Sequence, residues 1–300
     1  MQVFGEFREL TLNHTETTVS FGEDFIDPVV IAGPITDKDS DSDSAAVRIK
    51  DVTADEATLF LQEPDGGNHG DETVTLMVLE KGQWELADGT RIEVGTRPVN
   101  ADRGSFETVN FDRNDFADTP QVFTQTQSIH EDTFVITRQD GGDTDGFQVG
   151  LQEDEGDDGA HFGESVGFLA IDPDQANGTG MDDAGTVFEA DTVANVNDRG
   201  NPTSIPFDES FDPDRGLLAQ VSTFNGGDTG WVRVGDTSVP ELFVEEDQTD
   251  DGERSHALEN TDVLALDGPS GTLTGTGTPT PAPESMAFAE FRQITLNDAE

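Results

Sequence analysis

Three histidines are each followed, three residues on, by a glutamate: His69 and Glu72, His161 and Glu164, His256 and Glu259. Each pair trails an arginine at nearly constant distance, 21 residues from Arg48 to His69 and 23 from Arg138 to His161 and from Arg233 to His256. An imidazole, a carboxylate and a guanidinium can form a charge-assisted hydrogen-bonded cluster where a loop enters a strand. They can also contact a polar ligand, or supply part of a metal site. The zinc-protease form of the last needs His-Glu-x-x-His on one helix face, and that string does not occur. A structural junction is the first expectation for these residues, ligand contact the second and metal the third.

Other strings invite chemistry and lose it on inspection. Gly-Glu-Ser-Val-Gly at 163–167 matches Gly-x-Ser-x-Gly, but a nucleophile elbow needs a strand, a sharp turn and a helix. Ser165 instead leads straight into the apolar run VGFLAI, and the equivalent positions elsewhere are Thr73 and Asn260. Asp37, Asp39, Asp41 and Asp43 alternate in DKDSDSDS. Clustered carboxylates can hold Ca²⁺, yet the glycine and closing glutamate of an EF-hand loop are missing, so these are weak metal candidates. No cofactor is expected beyond Ca²⁺ or structural salt ions. Asn13 and Asn177 fit the glycosylation sequon. The loops DGGD at 140–143 and NGGD at 225–228 read as turns, and the two tryptophans, Trp84 and Trp231, as buried. A carboxylate pair for glycoside cleavage cannot be singled out among 64 acids. No catalytic residue is assigned, and the chain reads as a non-enzyme.

The elements that carry the His-x-x-Glu pairs repeat with them. TTVSFGEDFIDPVVIAG from Thr17, ETVNFDRNDFADTPQVFTQ from Glu107 and TSIPFDESFDPDRGLLAQ from Thr203 each hold a phenylalanine pair: Phe21 and Phe25, Phe111 and Phe116, Phe207 and Phe211. Then come the arginine segments AAVRIKDV, TFVITRQD and GWVRVGDT, a segment running into an acidic loop, the histidine, and a closing apolar run: TVTLMVLE, SVGFLAID or TDVLALD. From first Phe to His is 48, 50 and 49 residues. Features matched at matched spacing mark an internal repeat. Period-2 alternation with β-branched residues, and turns rich in Gly and Asp, predict short strands packed as a β-sandwich in each copy. The boundaries expected are 1–97, 98–190 and 191–270, followed by a Gly/Thr/Pro linker at 271–285. Residues 286–300 are then expected to form a strand, because AFAEFRQITLND at 287–298 nearly repeats VFGEFRELTLNH at 3–14. That duplicate reads either as a truncated fourth repeat or as a strand pairing with a neighbouring subunit or partner.

Composition sets the environment. The chain has 300 residues, 64 Asp+Glu against 15 Lys+Arg, a formal charge of -49, and lysine only at 38, 50 and 81. Sparse apolar content with high charge can mean disorder. Against this, the 20 phenylalanines are spaced through Val/Ile/Leu runs and the acids spread over the whole length. A folded, evenly acidic chain suits molar salt, where the Debye length falls to about 3 Å and self-repulsion is screened; in dilute buffer the same charge drives the fold apart. An extreme halophile, archaeal or infecting an archaeon, is expected. Cysteine is absent, so no disulfide staples the fold. No apolar run of about 18 residues occurs, so no membrane span is expected. No basic stripe is present to replace phosphate counterions, so nucleic acid is not an expected partner. The opening MQVFGEFREL lacks a basic stretch followed by an apolar one, which points to release by lysis or to retention.

At the residues Phe21, Phe25, Pro28, Val29, Val30, the Val-Arg segment and the His-x-x-Glu-x-Val closing run, the chain resembles the H-type lectin domain, a six-stranded antiparallel β-sandwich. The resemblance covers about nine-tenths of the chain, best in the first copy and weakest in the third, which lacks Pro-Val-Val. It departs in the closing run, where H-type lectins carry a tryptophan and this chain reads LMVLE, FLAID and LALD. It implies three tandem all-β sandwiches, a tendency to trimerise, and contact with glycans on surface proteins and tail fibres. The reading that follows is a structural or adhesive surface component of a haloarchaeal virus (a capsid turret, decoration or tail-fibre protein). It would form a homo-oligomer, most simply a trimer, alongside other virion or surface proteins, with host cell-surface glycans as a further partner. Its place would be the virion surface or the extracellular space. The alternative is a glycan-binding or adhesion module of a haloarchaeal cell-surface protein.

Overall fold

The computed structural model describes residues 1–38, 44–102, 104–157, 160–173, 177–211, 214–235, 240–250, 252 and 254–280. Among these the chain is all-β, with a single 3-10 turn at Glu155–Asp157. The first repeat supplies β1 (Gln2–Leu12), β2 (Thr17–Ser20), β3 (Pro28–Ala32), β4 (Ala46–Lys50), β5 (Glu56–Gln62) and β6 (Glu72–Glu80), and β7 (Gly82–Glu85) follows it. The second supplies β8 (Arg91–Val99), β9 (Glu107–Asn110), β10 (Gln121–Thr126), β11 (Val135–Gly142), β12 (Gly146–Glu153) and β13 (Glu164–Asp172), followed by β14 (Thr179–Met181). The third supplies β15 (Val187–Val196), β16 (Thr203–Ser204), β17 (Gly216–Val221), β18 (Gly230–Val234), β19 (Glu241–Glu246) and β20 (Glu259–Leu266), followed by β21 (Ser270–Pro279).

Each repeat pairs these strands in the same way, all antiparallel. The closing strand lies between the first and third strands, giving β1-β6-β3, β8-β13-β10 and β15-β20-β17. A second sheet puts the fifth strand between the second and fourth, giving β2-β5-β4, β9-β12-β11 and β16-β19-β18. Apolar side chains between the two sheets make a core in every repeat: Val47, Leu59 and Leu76 in the first, Phe147, Val149 and Phe168 in the second, Leu242, Val244 and Val263 in the third. A further core joins the repeats, with Ile31 and Met77, Phe123 and Leu169, and Leu218 and Leu264 meeting at the centre. This explains why the closing strands read as apolar runs while β5 alternates. β6, β13 and β20 are buried along nearly their whole length, one face inside the repeat and the other toward the shared centre.

The stretch after each closing strand connects the repeats. β7 follows β6 and pairs with β8, and β14 follows β13 and pairs with β15. By the same rule β21 follows β20, but its partner is β1, from Gln2↔Gly275 to Arg8↔Ser270, and its other edge takes β7. The chain thus closes on its own beginning. Positions 97 and 190, expected as boundaries, fall inside β8 and β15. The expected linker at 271–285 is corrected: its first part is strand. Alternate threonines favour extended backbone, and the glycines between them admit close packing. A Cβ at Gly277 would stand 2.3 Å from the Gln83 carbonyl oxygen and 2.5 Å from the Trp84 ring. Residues 281–300, including the duplicated segment, lie outside the described residues.

Candidate functional site

The three His-x-x-Glu pairs stand where one repeat meets the next. Each histidine ends an acidic loop and each glutamate opens a closing strand, so both side chains are fixed by the strand entry. Each of these three histidines is held between two carboxylates. His69 Nδ1 lies 2.9 Å from Glu63 and its Nε2 3.6 Å from Glu72. For His161 the distances are 2.9 Å to Glu153 and 3.2 Å to Glu164; for His256, 3.0 Å to Glu246 and 3.3 Å to Glu259. Glu72, Glu164 and Glu259 are at most 1% exposed. Each also takes a hydroxyl and a backbone N–H from the segment after the third strand: Thr36 and Lys38, Ser128 and His130, Thr223 and Asn225.

The arginines arrive from the preceding repeat. Arg138, in the second repeat, donates to Glu259 of the third at 3.2 Å and to the Asp228 carbonyl. Arg233, in the third, donates to Glu72 of the first at 2.9 Å and to the Thr36 carbonyl. Arg48, in the first, donates to the Thr133 carbonyl of the second at 2.8 Å and sits in the field of Glu164. The pattern therefore runs from first to second, second to third and third to first. A side chain of the same repeat steadies each guanidinium: Gln62, Gln152 or Glu245. These contacts are thus made between repeats of one chain.

Electrostatics follow from this burial. Desolvation opposes a charged imidazole at His69 and His161, but the flanking carboxylates outweigh it and hold both pKa values above the ordinary one. Burial raises Glu164 and Glu259, and the hydrogen bonds they accept more than reverse it, leaving both below the usual range. Arg48 and Arg138 are pulled down to about 10 by burial and stay charged at neutral pH. The site residues predicted from sequence are thus brought together at the repeat junctions, but buried, with Arg138 and Arg233 paired to the next repeat's glutamate and Arg48 bonded to the next repeat's Thr133 carbonyl.

Asp37 does not face an open cation site; its carboxylate lies 2.7 Å from Arg199 and 3.9 Å from Arg233. Asp39, Asp41 and Asp43 lie outside the described residues. Two other groups bring three potential ligands within reach of one another: Glu131, Glu153 and His161, and Glu155, Asp228 and Glu246. In the second, burial together with Asp228, Asp247 and Glu246 raises Glu155 to about 7. Ser165 is the second residue of β13 and leads into no helix. Trp84 is buried and stacks on Phe4, and Trp231 is buried with its indole N–H on the Ala45 carbonyl.

Sequence reasoning missed a second repeated carboxylate. Glu6 accepts the backbone N–H groups of Gly22 and Glu23, Glu93 those of Asp112 and Arg113, and Glu189 those of Asp208 and Glu209. Each caps the turn between its phenylalanine pair, whose rings meet edge to face in all three repeats. A glutamate 15 to 18 residues before the first phenylalanine was the available signal.

No protein-family model matches the chain, and no solved structure matches it. A curated protein does: the chain is 29% identical over 289 residues to halomucin of Haloquadratum walsbyi. The match takes in 90% of this chain and 3% of halomucin. No helix among the described residues is long and apolar enough to cross a membrane.

Proposed function

We propose that the chain is a non-catalytic structural and adhesive module of a surface or extracellular protein in a high-salt organism, with glycans as its adhesive partners. The observation that carries this reading is the similarity to halomucin, which spans all three repeats and yet occupies a small part of that protein. A relative named as a mucin suits a place outside the cell. The similarity favours the cell-surface alternative over a virion component. Burial of the most specific repeated residues supports a structural role for them, and the H-type lectin resemblance, which rests on sequence motifs, supports glycan contact. Tagging the chain in its native host and fractionating the culture tests the location. Recovery with the envelope or medium is the expected result, and recovery in cytoplasm or in purified virus particles contradicts it. Binding to a glycan array in about 2 M NaCl, where diffuse charge effects are screened, tests adhesion separately.

A further inference from the structure

All three junctions hold a histidine between two carboxylates, and the second repeat brings a third carboxylate, Glu131, to the same imidazole. His161 directs Nε2 at Glu164, 3.2 Å away. Its Nδ1 faces Glu153 Oε1 at 2.9 Å, the Thr133 hydroxyl at 3.2 Å and Glu131 Oε2 at 3.9 Å. Glu153 is 7% exposed, and its Oε2 is buried with no hydrogen-bond partner. An orphaned carboxylate oxygen in the interior costs free energy and calls for an ion or a water. Glu131 is partly exposed, so the group opens to solvent on that side.

We propose that Glu131, Glu153 and His161 bind a divalent transition-metal ion, of which Zn²⁺ is the type. An imidazole with two carboxylates is a donor set for such an ion. Glu164 would then accept the Nε2–H and leave the Nδ1 lone pair toward the metal, the carboxylate–histidine arrangement that orients a ligand from behind. Glu131 adjusts to complete the set, giving up the Phe162 N–H it now accepts.

The third repeat shows the same junction without this carboxylate. The third holds the same histidine between Glu246 and Glu259, but counting from the hydroxyl residues Ser128 and Thr223, the position of Glu131 is Gly226. In the first that position is Asp39, outside the described residues.

The test uses the full chain, stripped of metal with a chelator and kept in about 2 M NaCl to suppress diffuse ion binding. Zn²⁺ is titrated by calorimetry while the histidine ring signals are followed by NMR. Saturable binding is expected, with the His161 ring signals moving and those of His256 still. Glu131→Gly, which copies the third repeat, weakens binding on the order of tenfold or more with circular dichroism unchanged. Glu131→Gln does the same and serves if the glycine variant does not fold. Asp228→Asn, in the other carboxylate group, leaves binding as it was. The proposal is overturned by unmoved His161 signals, by dispersed binding to surface carboxylates only, or by affinity that ignores both Glu131 substitutions.

Discussion

Arg233 is 1% exposed and divides its guanidinium between Glu245 of its own repeat and Glu72 of the first. Removing one partner of such a buried pair leaves the other charge without compensation, at a cost of about 3–5 kcal/mol. Glu72→Ala is therefore expected to destabilise by that order, and more than Asp37→Ala, whose carboxylate lies farther from Arg233 and is more exposed. Denaturant unfolding in high salt compares the two; equal, small effects would refute the assignment. His69 gives the junction a pH dependence. It faces Glu63, Glu72 and Arg233, and its pKa in the folded chain stands above 6.5. A raised folded value means stabilisation that is fully present below the unfolded pKa and lost as pH rises through the folded one. Thermal stability is expected to fall as pH climbs above 6.5, and His69→Gln to flatten that slope. A slope of opposite sign would contradict the imidazolium reading.

At the scale of the elements, β21 is the strand that closes the chain. Gly277 packs against Trp84 so tightly that any side chain must displace the ring or the Gln83 carbonyl. Gly277→Ala is expected to cost about 1–3 kcal/mol, as overpacking does, and to perturb tryptophan fluorescence; an unchanged protein would mean β21 is dispensable. This strand also marks where sequence reading failed. Phenylalanine pairs, arginine strands and closing runs were legible because each is fixed inside one repeat by a two-residue period and a constant spacing. β21 was read as linker because Gly and Thr carry no apolar alternation, and its strand character comes from β1 and β7, supplied from far away in the chain. The triads were legible as sets of residues, whereas the donation of each arginine to the next repeat was not. Nothing local distinguishes a buried guanidinium that serves its own repeat from one that serves a neighbour. Glu131 went unmarked because it belongs to one repeat alone.

At the scale of the molecule, the described residues form three repeats, each with two facing sheets, around a shared centre. Tandem duplication lets equivalent positions differ, which a homotrimer of identical chains cannot do. Two residues before each arginine stand Ala46, Ile136 and Trp231, which cluster together with Phe134, so one large ring fills a space the other copies leave. With -49 charge on this frame, unscreened repulsion opposes closure, and salt is expected to act on the assembly as a unit. The central claim is that the junctions make one cooperative structure of the three repeats. Differential scanning calorimetry in about 2 M salt, on the native chain and on Glu259→Ala, tests it most directly. The account predicts a single transition whose calorimetric and van't Hoff enthalpies agree, shifted as a whole to lower temperature by the substitution. Three separable transitions, with Glu259→Ala moving only one of them, would contradict it.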